Sequence, residues 1–328
     1  MKISYHLPES ILDNNEFAQY GWPADKIFEK TGIRQRHIAG PNEFALDLAY
    51  AAGTTLFQEY DIDPRSVDYL LYCTQSPDFI VPNNSSILQE RLGLRTDTGA
   101  IDLNQGCTGF LYGLSLAKGL LVSNQARNIL LVTADTWSKY IHEKDKSTRS
   151  IFGDGAAATY ITDQDPLRIG DFVFGTNGSG AHDLMVKTSG LRYRRGTIPT
   201  REIVDASGNT RTDDTLFMNG PDVFTFTISH VPKMIQMVLQ KADITMQDID
   251  HFVFHQANGY MLEHLRKKIA IPPEKFHLYL EDIGNTVSST IPIVLKNLYR
   301  NNVILEGQKI LLAGFGVGYS WIATIIST

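Results

Sequence analysis

One of the two cysteines stands where a covalent nucleophile is expected. Cys107 follows the apolar run 100–103 and precedes a stretch whose apolar residues recur with helical spacing from Phe110 to Leu121. A thiol at such a junction lies over the first turn of a helix, where unpaired amides and the helix dipole favour the thiolate and lower its pKa. The alternative interpretation is a buried, unreactive core cysteine. We interpret Cys73, inside a strand-like apolar run, in that second way.

Two polar residues in the second half of the chain occupy similar junctions. His255 ends the strand-like run Phe252–Phe254, and Asn285 lies just before a helix predicted over 287–299. Strand ends that face helix starts are where open α/β sheets bind ligands. Taken alone, the histidine is more often structural, and the Gly-Asn-Thr sequence around Asn285 is more often a turn or a helix cap. Together with Cys107 they predict one cleft in which three polar groups converge.

A glycine-rich segment, 314–321, lies near the end of the chain. Such a pattern after a strand is typical of dinucleotide binding, but here the run 322–326 continues as a strand, so no helix N-terminus is available to bind phosphate. We therefore predict a tight turn that brings backbone amides close to a substrate. The amides of Val317 and Cys107 are the predicted oxyanion hole.

Composition limits the classes of protein to consider. The 328 residues can form two domains or one large one, and the formal net charge of -6 is too small to direct the whole protein to nucleic acid or membranes. Two cysteines cannot build a disulfide framework or a thiolate zinc site. The amino terminus lacks an apolar signal core, and no run of 18 uncharged apolar residues occurs. We expect a soluble cytoplasmic protein.

Two pairs of segments repeat along the chain. Residues 56–73 resemble residues 238–255, and residues 128–132 resemble 309–313, at an offset of about 181 to 182 residues. The apolar strands alternate with helices, which predicts an α/β fold with helices on both faces of mostly parallel sheets. We predict two related halves, 1–165 with Cys107 and 166–328 with His255 and Asn285. The junctions that hold Cys107 and Asn285 are then equivalent positions.

A long polar segment, 175–219, separates the matched segments of the two halves and is predicted to cap the site. It is rich in Gly, Ser, Thr and Arg. Its arginines either bind an anionic partner or belong to a solvated loop: Arg192, Arg194, Arg195 and Arg201.

These motifs, with Thr31–Ile38 and Phe152–Ala156, resemble the beta-ketoacyl-acyl carrier protein synthase III family in the same order along nearly the whole chain. The resemblance implies a thiolase-like fold, in which two duplicated halves form five layers, α-β-α-β-α, usually as a homodimer. It also implies acyl thioesters of coenzyme A or acyl carrier protein as substrates, and no metal or other cofactor.

The resemblance assigns a role to each predicted site residue. Cys107 accepts an acyl group from a thioester, and malonyl-acyl carrier protein then loses carbon dioxide and condenses with that group, in fatty acid or specialised acyl-chain biosynthesis. His255 and Asn285 donate hydrogen bonds to the malonyl thioester carbonyl. Phe110 and the cap segment are candidates for the wall of the acyl pocket, with core packing as the alternative for each residue.

Two positions that differ from the family pattern concern the acyl donor. Relatives that use acetyl-coenzyme A hold its adenine between a tryptophan and an arginine, where this chain has Lys26 and Lys146, and Trp22 and Arg149 are out of register. Lysine has no planar face for stacking, so the sequence leaves open whether the acyl donor is coenzyme A or a carrier protein.

A cationic stretch after His255 is the predicted docking site for an acidic carrier protein, and it consists of Arg266, Lys267 and Lys268. Cations near the carboxyl end of a helix also interact favourably with its dipole, which is the structural alternative.

Two other functions stay open at this stage. In one, Cys107 passes its acyl group to an amine or hydroxyl without decarboxylation, and the presence of Asn285 argues against it. In the other, the chain is a non-catalytic subunit of a heterodimeric condensing enzyme, and the presence of all three site residues argues against that.

Overall fold

Two mixed five-stranded sheets form the framework of the protein. The computed structural model describes residues 1–165, 167–197 and 200–328. The first sheet has the strand order β1-β7-β6-β4-β5. The strands of the first half are β1 (Lys2–His6), β2 (Ile11–Asp13), β3 (Gln35–His37), β4 (Tyr69–Cys73), β5 (Gly99–Leu103), β6 (Asn128–Asp135) and β7 (Gly155–Thr162).

The second sheet has the order β14-β15-β16-β8, and β9 also pairs with β16. Its strands, with the short strands of the cap, are β8 (Arg168–Ile169), β9 (Val173–Thr176), β10 (Leu184–Met185), β11 (Ile203–Val204), β12 (Thr210–Arg211), β13 (Phe217–Met218), β14 (His251–Phe254), β15 (Lys309–Gly316) and β16 (Ser320–Ser327).

The helices complete a layered arrangement. They are α1 (Ala24–Thr31), α2 (Ala45–Tyr60), α3 (Asn84–Arg91), α4 (Gly109–Val122), α5 (Lys146–Arg149), α6 (Gly220–Ala242), α7 (Gly259–Ile269) and α8 (Thr290–Arg300). Apolar residues of α2 and α3 cover the outer face of the first sheet, and those of α6 and α7 cover the outer face of the second. Helices α4 and α8 lie between the two sheets. The predicted five layers, α-β-α-β-α, are confirmed.

The two sheets repeat the same pairing pattern. β4 pairs in parallel with β6, as β14 does with β15, and each second strand then pairs antiparallel with the next one, β7 or β16. Strands buried on both faces need apolar side chains at successive positions, which explains the continuous apolar runs in the sequence. The duplication is thus present in the fold. The boundary between 165 and 166 stays a prediction, and Pro166 lies outside the described residues.

The predicted cap is built from two short antiparallel ribbons. β10 pairs with β13, and β11 pairs with β12. Arg211 anchors the second ribbon, because its guanidinium donates to the buried carboxylate of Asp145 at 2.6 Å and to Asp205 at 3.2 Å. Ile198 and Pro199, within the predicted cap, lie outside the described residues.

Candidate active site

Cys107 lies in the turn that connects β5 to α4, two residues before the helix begins. Its side chain is buried, and its fractional exposure is 6%. Burial raises the pKa of the thiol to about 12, because the thiolate would lose its water, and the carboxylate of Asp135 raises it further. Hydrogen bonds from the amides of Val317 and of Cys107 itself act in the opposite direction. The direction expected from the helix start alone is therefore wrong.

The glycine-rich turn at the end of β15 lies directly against Cys107. A Cβ atom on Gly316 would stand 2.9 Å from both Cβ and Sγ of Cys107, and one on Gly314 would stand 3.1 Å from the Cys107 carbonyl oxygen. An added Cβ at Gly316 would force the Cys107 side chain to shift, so this close approach favours glycine. The Val317 amide lies close enough to the sulfur to lower the pKa of the thiol. The oxyanion hole formed by this amide and that of Cys107 stays a prediction.

His255 follows β14 and is 1% exposed. Burial lowers the pKa of the imidazole to about 3, so the ring is neutral at physiological pH. Its Nδ1 lies 2.8 Å from the hydroxyl oxygen of Thr290. The hydroxyl has one proton for two acceptors, Nδ1 and the more distant carbonyl oxygen of Val287 at 3.2 Å. When it donates to Nδ1, the single proton of the neutral ring is on Nε2, which can then donate a hydrogen bond to a ligand.

Asn285 makes three hydrogen bonds to backbone groups. Its carboxamide oxygen accepts from the Val287 amide at 2.9 Å, and its Nδ2 donates to the Ala257 carbonyl at 3.3 Å. Its own amide donates to the carbonyl of Ile151 at 2.9 Å. The bond from Nδ2 is the longest of the three and therefore the weakest. Binding of a ligand oxygen by Nδ2 would replace only this weak bond.

Val287 connects the three predicted residues. It belongs to the same buried apolar cluster as Cys107, and its amide donates to the carboxamide oxygen of Asn285. Its carbonyl oxygen lies 3.2 Å from the Thr290 hydroxyl, which in turn lies 2.8 Å from Nδ1 of His255. Its φ of 54° is in the left-handed region, which is costly for a β-branched residue and is found chiefly at functional sites. The structure therefore brings Cys107, His255 and Asn285 together around one strained residue.

A cavity of about 680 Å³ adjoins this cluster. Its apolar wall is formed by Trp137, Leu184, Val186 and Leu216. Val317 also lines the cavity and packs against the apolar cluster that contains Cys107. The predicted cap thus contributes to the wall. Phe110, the other candidate, is packed in the core between the two sheets and does not line the cavity.

A second cavity, of about 430 Å³, is lined by Trp22, Lys26, Lys146, Asn209 and Asn258, among others. The ammonium group of Lys146 lies 5.7 Å from the centre of the Trp22 ring. The two residues are thus neighbours in space, although Trp22 does not align with the tryptophan of the family motif. Among the described residues, the carboxamide oxygen of the buried Asn209 has no hydrogen-bond partner.

The predicted docking cations lie in the last turn of α7. The carboxylate of Glu263 pairs with Arg266 at 2.7 Å and with Lys267 at 3.3 Å. Lys268 is exposed. The positive charge of this stretch is therefore partly neutralised within the helix.

Sequence reasoning missed three residues of the site: Asp135, Ser288 and Thr290. Asp135 ends the buried strand β6 and is itself 0% exposed. A carboxylate at the carboxyl end of a buried strand is the same signal that identified His255. Ser288 and Thr290 gave no signal, since hydroxyl residues before a helix usually act as caps.

Within residues 1–165, 167–197 and 200–328, no group of three or more His, Cys, Asp or Glu side chains is placed to hold a metal ion. None of the helices described is both long and apolar enough to cross a membrane.

Comparison with known proteins gives consistent matches. Residues 101–178 match the family model of 3-oxoacyl-[acyl-carrier-protein] synthase III, and residues 239–328 match the model of its C-terminal part. Beta-ketoacyl-[acyl-carrier-protein] synthase III 2 of Halalkalibacterium halodurans is 36% identical over 99% of this chain and 94% of its own length. The corresponding protein of Staphylococcus epidermidis is 34% identical over 98% of this chain and 95% of its length.

The fold is also shared with solved structures. A crystal structure of a 3-oxoacyl-(acyl-carrier-protein) synthase III is 48% identical, with a TM-score of 0.97 over 99% of this chain and 98% of that chain.

Proposed function

This chain belongs to the beta-ketoacyl-[acyl carrier protein] synthase III family of thiolase-fold condensing enzymes, and we propose that Cys107, His255 and Asn285 carry out its two half-reactions. The observation that carries the assignment is the arrangement around Val287, which bonds to Asn285, contacts His255 through the Thr290 hydroxyl and packs in the cluster of Cys107.

In the first half-reaction, the sulfur of Cys107 attacks the carbonyl carbon of an acyl thioester. The carbonyl oxygen gains negative charge, which the amides of Val317 and Cys107 stabilise. The bond from the carbonyl carbon to the donor sulfur then breaks. Because the pKa of the Cys107 thiol is about 12, its proton leaves only as the new bond forms and passes to the departing thiolate, so no net proton is consumed in this step.

In the second half-reaction, malonyl-acyl carrier protein binds with its thioester carbonyl near His255 and Asn285. The bond to the carboxylate carbon breaks, carbon dioxide leaves, and the electron pair forms an enolate whose oxygen accepts hydrogen bonds from Nε2 and Nδ2. The neutral state of His255 suits this role, because an imidazolium would protonate the carbanion. The enolate carbon attacks the acyl group, and the Cys107 thiolate leaves and takes a proton from solvent.

We assign the 430 Å³ cavity to the pantetheine arm that delivers both substrates. Lys26 and Lys146 line it, as do Trp22 and Asn209, whose carboxamide oxygen has no hydrogen-bond partner in the part of the chain that the structure describes. Lysines attract the anionic phosphate at the end of the pantetheine arm, which acyl-coenzyme A and acyl carrier protein have in common. Since the ammonium group of Lys146 lies near the Trp22 ring, adenine stacking there requires Lys146 to move, which favours a carrier-protein donor.

The acyl carrier protein partner docks, in this proposal, against the end of α7. Lys268 is exposed there, and Lys267 is partly neutralised by Glu263, while Arg266 is fixed by the same carboxylate. We assign the electrostatic attraction mainly to Lys268 and Lys267, and a structural role to Arg266.

We also assign a homodimer to this enzyme. Strand β5 is the edge of the first sheet, and an exposed edge strand is a template for pairing with another chain. Ile101 on that strand is 43% exposed, and further exposed apolar side chains, Phe79, Ile80 and Val81, lie in the segment between β4 and α3. Sedimentation should show a dimer, and Ile101→Lys should shift it toward the monomer, because a buried unpaired charge is costly.

Both cysteines are free thiols, which fits a reducing compartment. We therefore propose a cytoplasmic enzyme, and the proposed steps use no metal or other cofactor.

Mass spectrometry of the intact protein tests the assignment of roles. Incubation with a short acyl thioester should add the acyl mass to Cys107, Cys107→Ala should abolish the adduct, and Cys73→Ser is the matched control. His255→Ala and Asn285→Ala should still form the adduct but release carbon dioxide from malonyl-acyl carrier protein about 100- to 1000-fold more slowly. An adduct elsewhere, or normal condensation by both variants, contradicts the assignment. Acylation followed by transfer to an amine or hydroxyl, without carbon dioxide, supports the alternative acyltransferase.

A further inference from the structure

We propose that Asp135 is a positioning residue that fixes the segment 285–290, and through it Asn285 and His255, relative to the half that carries the nucleophile. This role rests on the proposed function of Asn285 and His255. Asp135 does not belong to the cavity wall near Cys107, so it acts on the reaction through its neighbours.

The carboxylate of Asp135 joins two segments from different halves. One oxygen accepts from the Gln75 amide at 2.8 Å. The other accepts from the hydroxyl of Ser288 and from the Ser288 amide, the latter at 3.3 Å. Three donors converge on this buried carboxylate, and the structure pairs it with no cation among the residues it describes. Such a carboxylate defines the position of its donors strictly, because each lost bond leaves a buried polar group without a partner.

Ser288 lies in the centre of the segment that orients the two proposed hydrogen-bond donors. On one side, Val287 bonds to the carboxamide of Asn285 at 2.9 Å. On the other side, Thr290 bonds to Nδ1 of His255 at 2.8 Å. A displacement of Ser288 therefore moves both donors at once, and the donors must lie at hydrogen-bond distance from the oxygen of the enolate.

A second bond from the same strand supports this arrangement. The hydroxyl groups of Thr133 and Ser289 lie 2.8 Å apart, and Thr133 is two residues before Asp135 in β6. A Cβ atom on Gly109 would also lie 3.3 Å from Cβ of Ser288. The segment is thus packed against both the end of β6 and the start of the helix that follows Cys107.

The charge state of Asp135 should make the reaction depend on pH, which a purely structural residue would not do. Burial raises the pKa of its carboxyl to about 7, although the three donors oppose this change. Protonation removes the negative charge that strengthens these charge-assisted bonds, so the hold of the carboxyl on Ser288 and Gln75 weakens. The titratable groups whose charges interact with it are Tyr72, Cys73, Cys107, Tyr140 and Asp154.

The experiment compares the half-reactions in Asp135→Asn, Ser288→Ala and the double variant. Carbon dioxide release should fall about 10- to 100-fold in each single variant, because displaced donors lose contact with the enolate. Acylation of Cys107 should stay close to wild type in Ser288→Ala. In Asp135→Asn it should stay close to wild type or increase, since the neutral side chain at position 135 no longer raises the pKa of the thiol. The double variant should be no worse than the worse single one, as expected for two residues that act through one contact. In wild type, the release rate should rise with pH around 7, and this rise should vanish in Asp135→Asn.

Hydrogen–deuterium exchange separates this inference from the proposed function. The peptide that covers 285–290 should exchange faster in Asp135→Asn and Ser288→Ala, while the core strand β15 stays protected. Unchanged exchange in that peptide overturns the positioning role, whatever the activity. Faster exchange without any carbon dioxide release by wild type upholds the role and overturns the proposed function. If Asp135→Asn does not fold, Ser288→Ala, which removes a single hydroxyl, decides the question.

Discussion

The reactivity of Cys107 should rise about tenfold for each pH unit from 7 to 9, because the thiolate is a minor species over this whole range. Burial raises the pKa of this thiol from 9.0 to about 12. That displacement of about three pKa units corresponds to about 4 kcal/mol against the thiolate. At pH 8 about one molecule in 10,000 then carries the thiolate, compared with about one in ten for an ordinary cysteine.

Alkylation by iodoacetamide measures this directly. The rate at Cys107 is followed by peptide mass spectrometry between pH 6.5 and 9.5, with glutathione as the reference thiol and Cys73 as an internal buried cysteine. Because the reactive form is the deprotonated one, the rate should climb with pH and show no plateau. A plateau below pH 8 would refute the reasoning, since it would mean that the amides of Val317 and Cys107 and the helix start outweigh desolvation.

Two further predictions concern the neighbours of the thiol. Gly316→Ala should slow acylation about 10- to 100-fold, because its Cβ would stand 2.9 Å from Sγ, whereas Gly119→Ala, with nothing within 4 Å, should acylate normally; equal rates would contradict this packing. His255 is protonated in the unfolded chain near its ordinary pKa of 6.5 but in the fold only near 3. Stability present above pH 6.5 is therefore lost on acidification, by about 2 kcal/mol between pH 7 and 5. Urea unfolding should show this difference relative to His255→Asn, and parallel pH profiles would exclude it.

The duplicated architecture could be predicted from sequence because buried strands have unbroken apolar runs, and two such runs recur at a fixed offset. The same logic located Cys107 and His255, since strand ends in this fold point at one cleft. It failed for the pKa of Cys107 because the helix start is a local feature, whereas desolvation depends on the cluster that surrounds the sulfur.

Contacts between segments far apart in the chain could not be predicted from the sequence. The bond between Asp135 and Ser288 joins residues 153 positions apart, and no periodicity reports such a pairing. Trp22 and Lys146 meet in one cavity although linear register placed Trp22 off the motif. Phe110 has the spacing of a core helix residue, and the core is where it lies.

The close approach of Gly316 to the sulfur has a consequence for inhibitor chemistry. Because the backbone at Gly316 packs closely against Sγ, we expect an electrophilic reagent to approach from the side of the cavity whose wall contains Trp137 and Leu216. Flat, slender reagents such as small unsaturated lactones should therefore label the enzyme more readily than reagents with a branched reactive carbon.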